Sequence, residues 1–387
     1  MHLHASDVRG ISRLAITATL GVTDLVESMH DAITHPSWPP KTAGRTRGLT
    51  GFVYHSVRGV TEIVGGAIDL SLRPVVAALG AQESTPEREH AIAALNGVLG
   101  DHLAATANPL AIQMTLRPRA PQADAPATDK IAVLVHGLCM NDRQWQGEEH
   151  DHGAALARDL GFTPLYLHYN SGLHISTNGR LFADALERTL ATWPLPVKEL
   201  VIVAHSMGGL VARSACLAAA EASQQWPQHL RKIVFLGAPH HGAPLERGGN
   251  GLDLLLRATP YVAPFARLGR MRSAGITDLR YGYLLDEEWT GHDRFAFAQD
   301  KRRPLPLPEN VACFAMAAVL AENAETCKAR VLGDGLVPLA SALGRHALPA
   351  YRLSFPEDHC WTGAHMNHLD LLHRPEVYAQ LHRWLAT

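Results

Sequence analysis

Residues 203 to 209 read Val203-Ala204-His205-Ser206-Met207-Gly208-Gly209, after the apolar run Leu200-Val201-Ile202 and before Leu210-Val211-Ala212-Arg213. The apolar run reads as a buried strand and the segment after the glycines as the start of a helix. The serine between them sits at the apex of a sharp turn in a G-x-S-x-G-like pattern, with Ala204 at the first small position. Small residues are needed on both sides because the backbone passes close to itself there. Such a turn lifts a hydroxyl clear of the sheet. It also aims the Met207 N–H and a helix N-terminus at the place where negative charge would develop. The plainer alternative is a capping serine in an ordinary strand–turn–helix unit.

A serine hydroxyl is a weak nucleophile near neutral pH, and it needs a histidine base oriented by a carboxylate. Two later segments offer these partners. Gly333-Asp334-Gly335-Leu336-Val337-Pro338 can present Asp334 from a tight loop, with Glu357 and Asp358 as the alternative acids. Met366-Asn367-His368-Leu369-Asp370-Leu371-Leu372 follows the last expected strand and precedes the last expected helix. His368 is favoured over His365 as the base, because the Leu-Asp-Leu-Leu stretch after it would anchor the loop and preorganise the imidazole. An oxyanion hole needs two backbone donors. Met207 N–H is one, and Leu138 N–H, in the turn His136-Gly137-Leu138-Cys139, is the expected second. Cys139 lacks an elbow of its own and reads as a packing residue.

From Leu110 onward, short apolar runs alternate with helical patterns, which predicts a mostly parallel sheet flanked by helices. Strands are expected near Leu110–Arg117, Ile131–His136, Thr163–His168, Glu199–Ala204, Lys232–Leu236, Val311–Ala317 and Tyr351–Phe355. Helices are expected over Gly153–Leu160, Gly179–Thr192, Met207–Ala222 and Pro375–Leu385. Residues 243–308 interrupt the alternation and are expected to form a cap insertion with helices of its own.

Residues 1–105 read differently. Ile11, Leu14, Ala18, Val22 and Leu25 share one helix face, and Val53, Val57, Val60, Val64 and Ile68 share another. Ile92, Leu95, Leu99 and Leu103 mark a third helix, opened by Thr85-Pro86-Glu87. Gly59, Gly65 and Gly66 predict close approach of another backbone to the second helix. These faces are expected to pack on the catalytic body at 106–387; the alternative is a peripheral membrane or lipid contact.

In order along the chain come His136-Gly137, Tyr169-Asn170-Ser171-Gly172, Ala204–Gly209, Gly237-Ala238-Pro239-His240-His241-Gly242, Asp334–Pro338 and Asn367–Leu372. Together these segments resemble the α/β-hydrolase superfamily of esterases and lipases, in particular the GPI inositol-deacylase-like (PGAP1-like) lipases. The resemblance covers residues 106–387 and leaves the N-terminal helices outside. It implies an α/β-hydrolase fold and hydrolysis of carboxylic esters through an acyl-enzyme, with Ser206, Asp334 and His368 as the triad, no cofactor, and a hydrophobic ester or lipid as substrate. The same triad could serve an acyltransferase, thioesterase or amidase, and the scaffold could also be a non-catalytic lipid-binding module. His365-x-x-His368 and His240-His241 admit a metal reading, but no H-E-x-x-H motif is present and the triad already employs His368.

Composition narrows the rest. The 387 residues carry 35 basic and 37 acidic side chains, a balance that offers no electrostatic footprint for nucleic acid. No apolar run approaches a bilayer-spanning length, and Met1–Gly10 lacks the layout of a secretory signal. Five cysteines without a C-x-x-C pair point to a reduced, cytoplasmic compartment, with a Cys313–Cys327 bridge as the one pairing considered.

Overall fold

The structure, a computed structural model, describes residues 4–34, 46, 48–79, 84–119, 125–147, 150–243, 272–291, 293–294, 300, 302–322 and 333–387. Seven strands form one sheet: β1 (Thr115–Arg117), β2 (Lys130–Val135), β3 (Thr163–His168), β4 (Glu199–His205), β5 (Leu230–Leu236), β6 (Ala312–Val319) and β7 (Cys360–Ala364). Their spatial order is β1-β3-β2-β4-β5-β6-β7. Only β1 runs antiparallel, pairing with β3; every other pairing is parallel. This is the α/β-hydrolase fold.

The parallel strands are near-continuous apolar runs because helices cover both faces. Period-two alternation puts Ala132, Leu134, Val201, Val203, Val234, Leu236, Phe314 and Met316 in one core cluster. That cluster takes in Leu156 of α4 (His152–Leu160) and Val377, Leu381 and Trp384 of the C-terminal helix Pro375–Leu385. α5 (Ile175–Ala191) and α6 (Met207–Glu221) pack on each other elsewhere around the sheet. The chain crosses from β2 outward to β3, then returns past β2 to β4. The loops after β2 and β4 therefore part at the carboxyl edge, the place where open parallel sheets form a binding crevice.

Two sequence expectations need correction in the sheet. Tyr351–Phe355 is not a strand: Pro349–Tyr351 is a 3-10 turn, and the last strand is Cys360–Ala364. Leu353 and Phe355 are apolar because they fill the space around Gly344, and Phe355 also packs on Phe235, whose ring centre is 6.0 Å away. At the other edge, the strand expected over Leu110–Arg117 is confined to Thr115–Arg117.

Contacts divide the chain into two compact units, Met1–Arg88 with Ala105–Leu110, and Glu89–Ala104 with Ala111–Thr387. The first is a helical hairpin of α1 (Ala5–Thr34) and α2 (Gly48–Leu79). Of Gly59, Gly65 and Gly66 in α2, an added Cβ would meet a neighbour only at Gly65, where the neighbour is the Ile16 side chain; Gly59 and Gly66 face open space. Val53, Val57, Val60, Val64 and Ile68 share a face as expected, but that face is exposed. Most of α3 (Pro86–Ala105) groups with the sheet, although the sequence boundary had all three helices together.

In the insertion at 243–308, the apolar stretches 252–256 and 261–268 lie outside the described residues, as does Cys327. The described part carries a short helix, Ala274–Asp278, tied to the sheet-bearing unit by Asp278, which bonds His174 Nδ1 at 3.0 Å and accepts from the Ile175 N–H at 2.8 Å.

Candidate active site

Ser206 sits between the end of β4 and the start of α6, at φ 54° and ψ −128°. A side-chain-bearing residue held at positive φ costs on the order of 1–3 kcal/mol and persists only where its surroundings impose it. They do so here. Ser206 N–H donates to Leu236 O at 2.8 Å, tying the turn to the neighbouring strand. A Cβ on Gly208 would lie 2.6 Å from His136 O, and one on Gly209 would lie 2.6 Å from the Ala238 Cβ. These two close approaches are why the residues after the serine are glycines.

Asp334 and His368 are brought together, both almost fully buried. Each carboxylate oxygen of Asp334 has its own task. Oδ1 accepts the N–H groups of Leu336 and Val337 at 3.0 and 2.8 Å, closing the turn written as Gly-Asp-Gly-Leu-Val. Oδ2 lies 2.7 Å from His368 Nδ1. A carboxylate can only accept, so Nδ1 carries the proton and Nε2 is left with the lone pair. The backbones are joined too, His368 N–H donating to Asp334 O at 3.2 Å. His365, Glu357 and Asp358, the alternatives weighed in the sequence, are exposed. Ser206 and His368 line the same cavity, about 650 Å³ in volume, together with Leu138, Met140 and Leu372. Among the described residues no hydrogen bond links the two side chains; catalytic bonds often tighten only when substrate is bound.

Two further histidines hold the loop that carries His368. His205 Nε2 donates to His368 O at 3.0 Å, and His152 Nε2 donates to Leu371 O at 3.1 Å. Donation to carbonyls requires both to be protonated at Nε2, and burial keeps both neutral. Burial lowers the His152 pKa to about 3. Burial puts His205 well below the usual imidazole range. Nothing in the sequence marked either residue for this role.

Opposite Ser206 lies the loop after β2. Gly137 lets it approach, since a Cβ there would lie 2.9 Å from the Ser206 Cβ. Tyr169 OH donates to His136 O at 2.8 Å, and Ser171 Oγ accepts the Cys139 N–H at 3.0 Å. The Tyr-Asn-Ser-Gly stretch is thus a buttress for this loop, a role its position in the sequence did not disclose. Burial pushes the Cys139 thiol up to about 12, far from a reactive thiolate. α3 backs the same loop: a Cβ on Gly97 would lie 2.7 Å from Cys139 Cα. Arg143 and Arg374 also line the cavity. His240, after β5, is buried against Phe235 and Phe355.

Residues 127–301 match the family model of the PGAP1-like alpha/beta domain. This segment is a PGAP1-like alpha/beta domain. It contains the Ser206 turn and the loop after β2 and ends before Asp334 and His368. Solved structures similar to the chain that carries it include Bacillus licheniformis lipase BlEst2 in mature form, at 16% identity and TM-score 0.44, covering 71% of this chain and 98% of that one. Aspergillus fumigatus lipase B matches at 10% identity and TM-score 0.41, over 98% of this chain and 84% of that one. Phospholipase PlaB from Legionella pneumophila, in complex with thio-NAD, matches at 17% identity and TM-score 0.34, over 55% and 44% of the two chains. No curated protein matches the sequence.

Proposed function

We propose that this chain is a serine hydrolase that cleaves carboxylic esters through an acyl-enzyme. The observation that carries the reading is the buried Asp334–His368 pair, closed at 2.7 Å, in a cavity shared with a conformationally strained serine. In this reading Ser206 Oγ attacks the ester carbonyl while His368 Nε2 takes its proton, and Asp334 holds the imidazole and stabilises its charged form. The tetrahedral oxyanion receives the N–H of Met207, at the start of α6, and that of Leu138. Leu138 is the donor from its loop because the next amide, Cys139 N–H, is already engaged by Ser171. His368 then gives the proton to the departing alcohol, leaving an ester on Ser206. Water, deprotonated by the same imidazole, releases the acid and restores the serine.

Leu138, Met140 and Leu372 in the cavity lining suit an apolar acyl group, and the lining Arg143 and Arg374 suit a polar alcohol side. The test is p-nitrophenol release from short- and medium-chain esters, beside fluorophosphonate labelling. Ser206→Ala should abolish both. A mutant that retains the parent rate refutes the assignment of Ser206 as nucleophile.

A further inference from the structure

The N-terminal hairpin is built inside out. Its ion pairs lie in the seam between its helices: Asp69 takes Arg9 and Arg13, each at 2.7 Å, and Arg58 bridges Asp24 and Glu27, the latter carboxylate almost fully buried. Thr46 closes the remaining acceptor on Glu27, its N–H donating at 3.1 Å and its hydroxyl at 2.9 Å. Three guanidiniums and three carboxylates, divided between these two groups, join α1 to α2 along the seam.

The apolar side chains turn the other way. Phe52, Val60, Ile63 and Leu70 are 67, 62, 73 and 66% exposed, with Val53, Val57, Val64 and Ile68 between them. At 100° per residue these eight positions occupy an arc of about 160°, and Arg58, Gly65 and Asp69, which face α1, lie outside it. Between Phe52 and Leu70 the only exposed charged residue is Glu62. α1 also exposes Val8, Ile11 and Val22, all at least 44% exposed, on its side away from the seam. An apolar face so broad on a two-helix unit is what normally meets a core, a membrane or a partner.

The breadth decides among occupants. A second helical copy meets a helix through a narrow seam of interlocking side chains, and would leave most of a 160° arc of valines and isoleucines wet. A lipid layer covers a broad arc without needing matched shapes. Neither helix is long and apolar enough to cross a membrane, which suits a hairpin lying in the interface. No lysine, and no arginine outside an ion pair, is exposed along the arc, so attraction to acidic headgroups is not the driving force. We propose that the α1–α2 hairpin docks the protein on a lipid bilayer by seating its outward apolar arc among the acyl chains. This inference is independent of the catalytic assignment.

The test is flotation of the full chain with phosphatidylcholine vesicles. It should float with them, and float equally at high salt and with phosphatidylserine included. Val60→Glu with Ile63→Glu should cut the bound fraction about tenfold or more, since both charges enter the acyl region. Short-ester hydrolysis by the variant reports that the body is folded. In the unmodified protein, amide exchange over residues 52–70 should slow on addition of vesicles, a readout that needs no variant. A protein that stays at the bottom of the gradient, a variant that floats undiminished, or unchanged exchange over 52–70 overturns the proposal. So does a lipid-free dimer that the double substitution dissociates while vesicles capture nothing, an outcome that would make the arc a self-association surface.

Discussion

Acidification to pH 5.5 should remove much of the folding stability, through histidines rather than carboxylates. His136, His152, His205 and His240 are all at most 2% exposed. Burial lowers His136 and His152 to about 3 and holds His205 and His240 well below the ordinary imidazole value, with Arg213 adding repulsion at His240. In the unfolded chain each returns to a pKa of about 6.5. A depressed histidine pKa means that the unfolded state binds the extra protons. Stability is therefore full above about pH 6.5 and falls as pH drops through the window between the unfolded and folded values. One pH unit into that window costs about 1.4 kcal/mol per imidazole, so four cost about 6 kcal/mol at pH 5.5. That is comparable with the whole stability of a marginal domain, about 5–15 kcal/mol. Burial raises Asp278 and Glu288, and these groups act in the opposite direction. The assay is urea unfolding followed by far-ultraviolet circular dichroism at pH 8, 7, 6 and 5.5. The slope should be steep below pH 6.5, and His240→Asn should flatten it by about one proton's worth. Stability that stays level from pH 7 to 5.5 and falls only below pH 4 would refute the reasoning and point to carboxylate titration.

Asp334→Asn should leave the fold intact and lower kcat for ester hydrolysis by about ten-thousandfold, because the amide can present its N–H to His368 Nδ1 and reverse the tautomer; kinetics on a p-nitrophenyl ester check it. Gly97→Ala should force the Leu138–Cys139 loop to move, since its Cβ would lie 2.7 Å from Cys139 Cα. About 1–3 kcal/mol of stability should be lost, together with activity, measured by thermal unfolding beside initial rates. His205→Leu deprives the His368 carbonyl of its donor; stability should fall by about 1–3 kcal/mol, and kcat should fall while KM stays near the parent value.

The turns at the carboxyl edge of the sheet were legible because their constraints are local. A strand that must turn at once into a helix around a serine requires Gly208 and Gly209, and an acid that must cap its own turn requires the Gly-Asp-Gly-Leu-Val wording around Asp334. These spellings can be read without knowing what lies across the sheet. The supports of the site were not legible, since His152, Tyr169 and Ser171 act on carbonyls, amides and loops far away in the chain, and no local pattern announces a long-range hydrogen bond. The last strand was misplaced for a related reason: Leu353 and Phe355 alternate as a strand does, yet they plug the space around Gly344, whereas Cys360–Ala364 is short and contains a glycine that lowers its strand propensity.

The N-terminal hairpin exposes a deeper limit. Periodicity reports which residues share a helix face, and Val53, Val57, Val60, Val64 and Ile68 do share one. It does not report which way that face points. In a core-forming helix the charged side would face water; here Arg58 and Asp69 need partners on α1, and α1 supplies them in Asp24, Glu27, Arg9 and Arg13. Pairing these charges across one seam fixes the rotation of α2 and turns the valines outward. An orientation set by ion pairs between residues more than thirty positions apart on two helices lies beyond any reading that treats each helix alone.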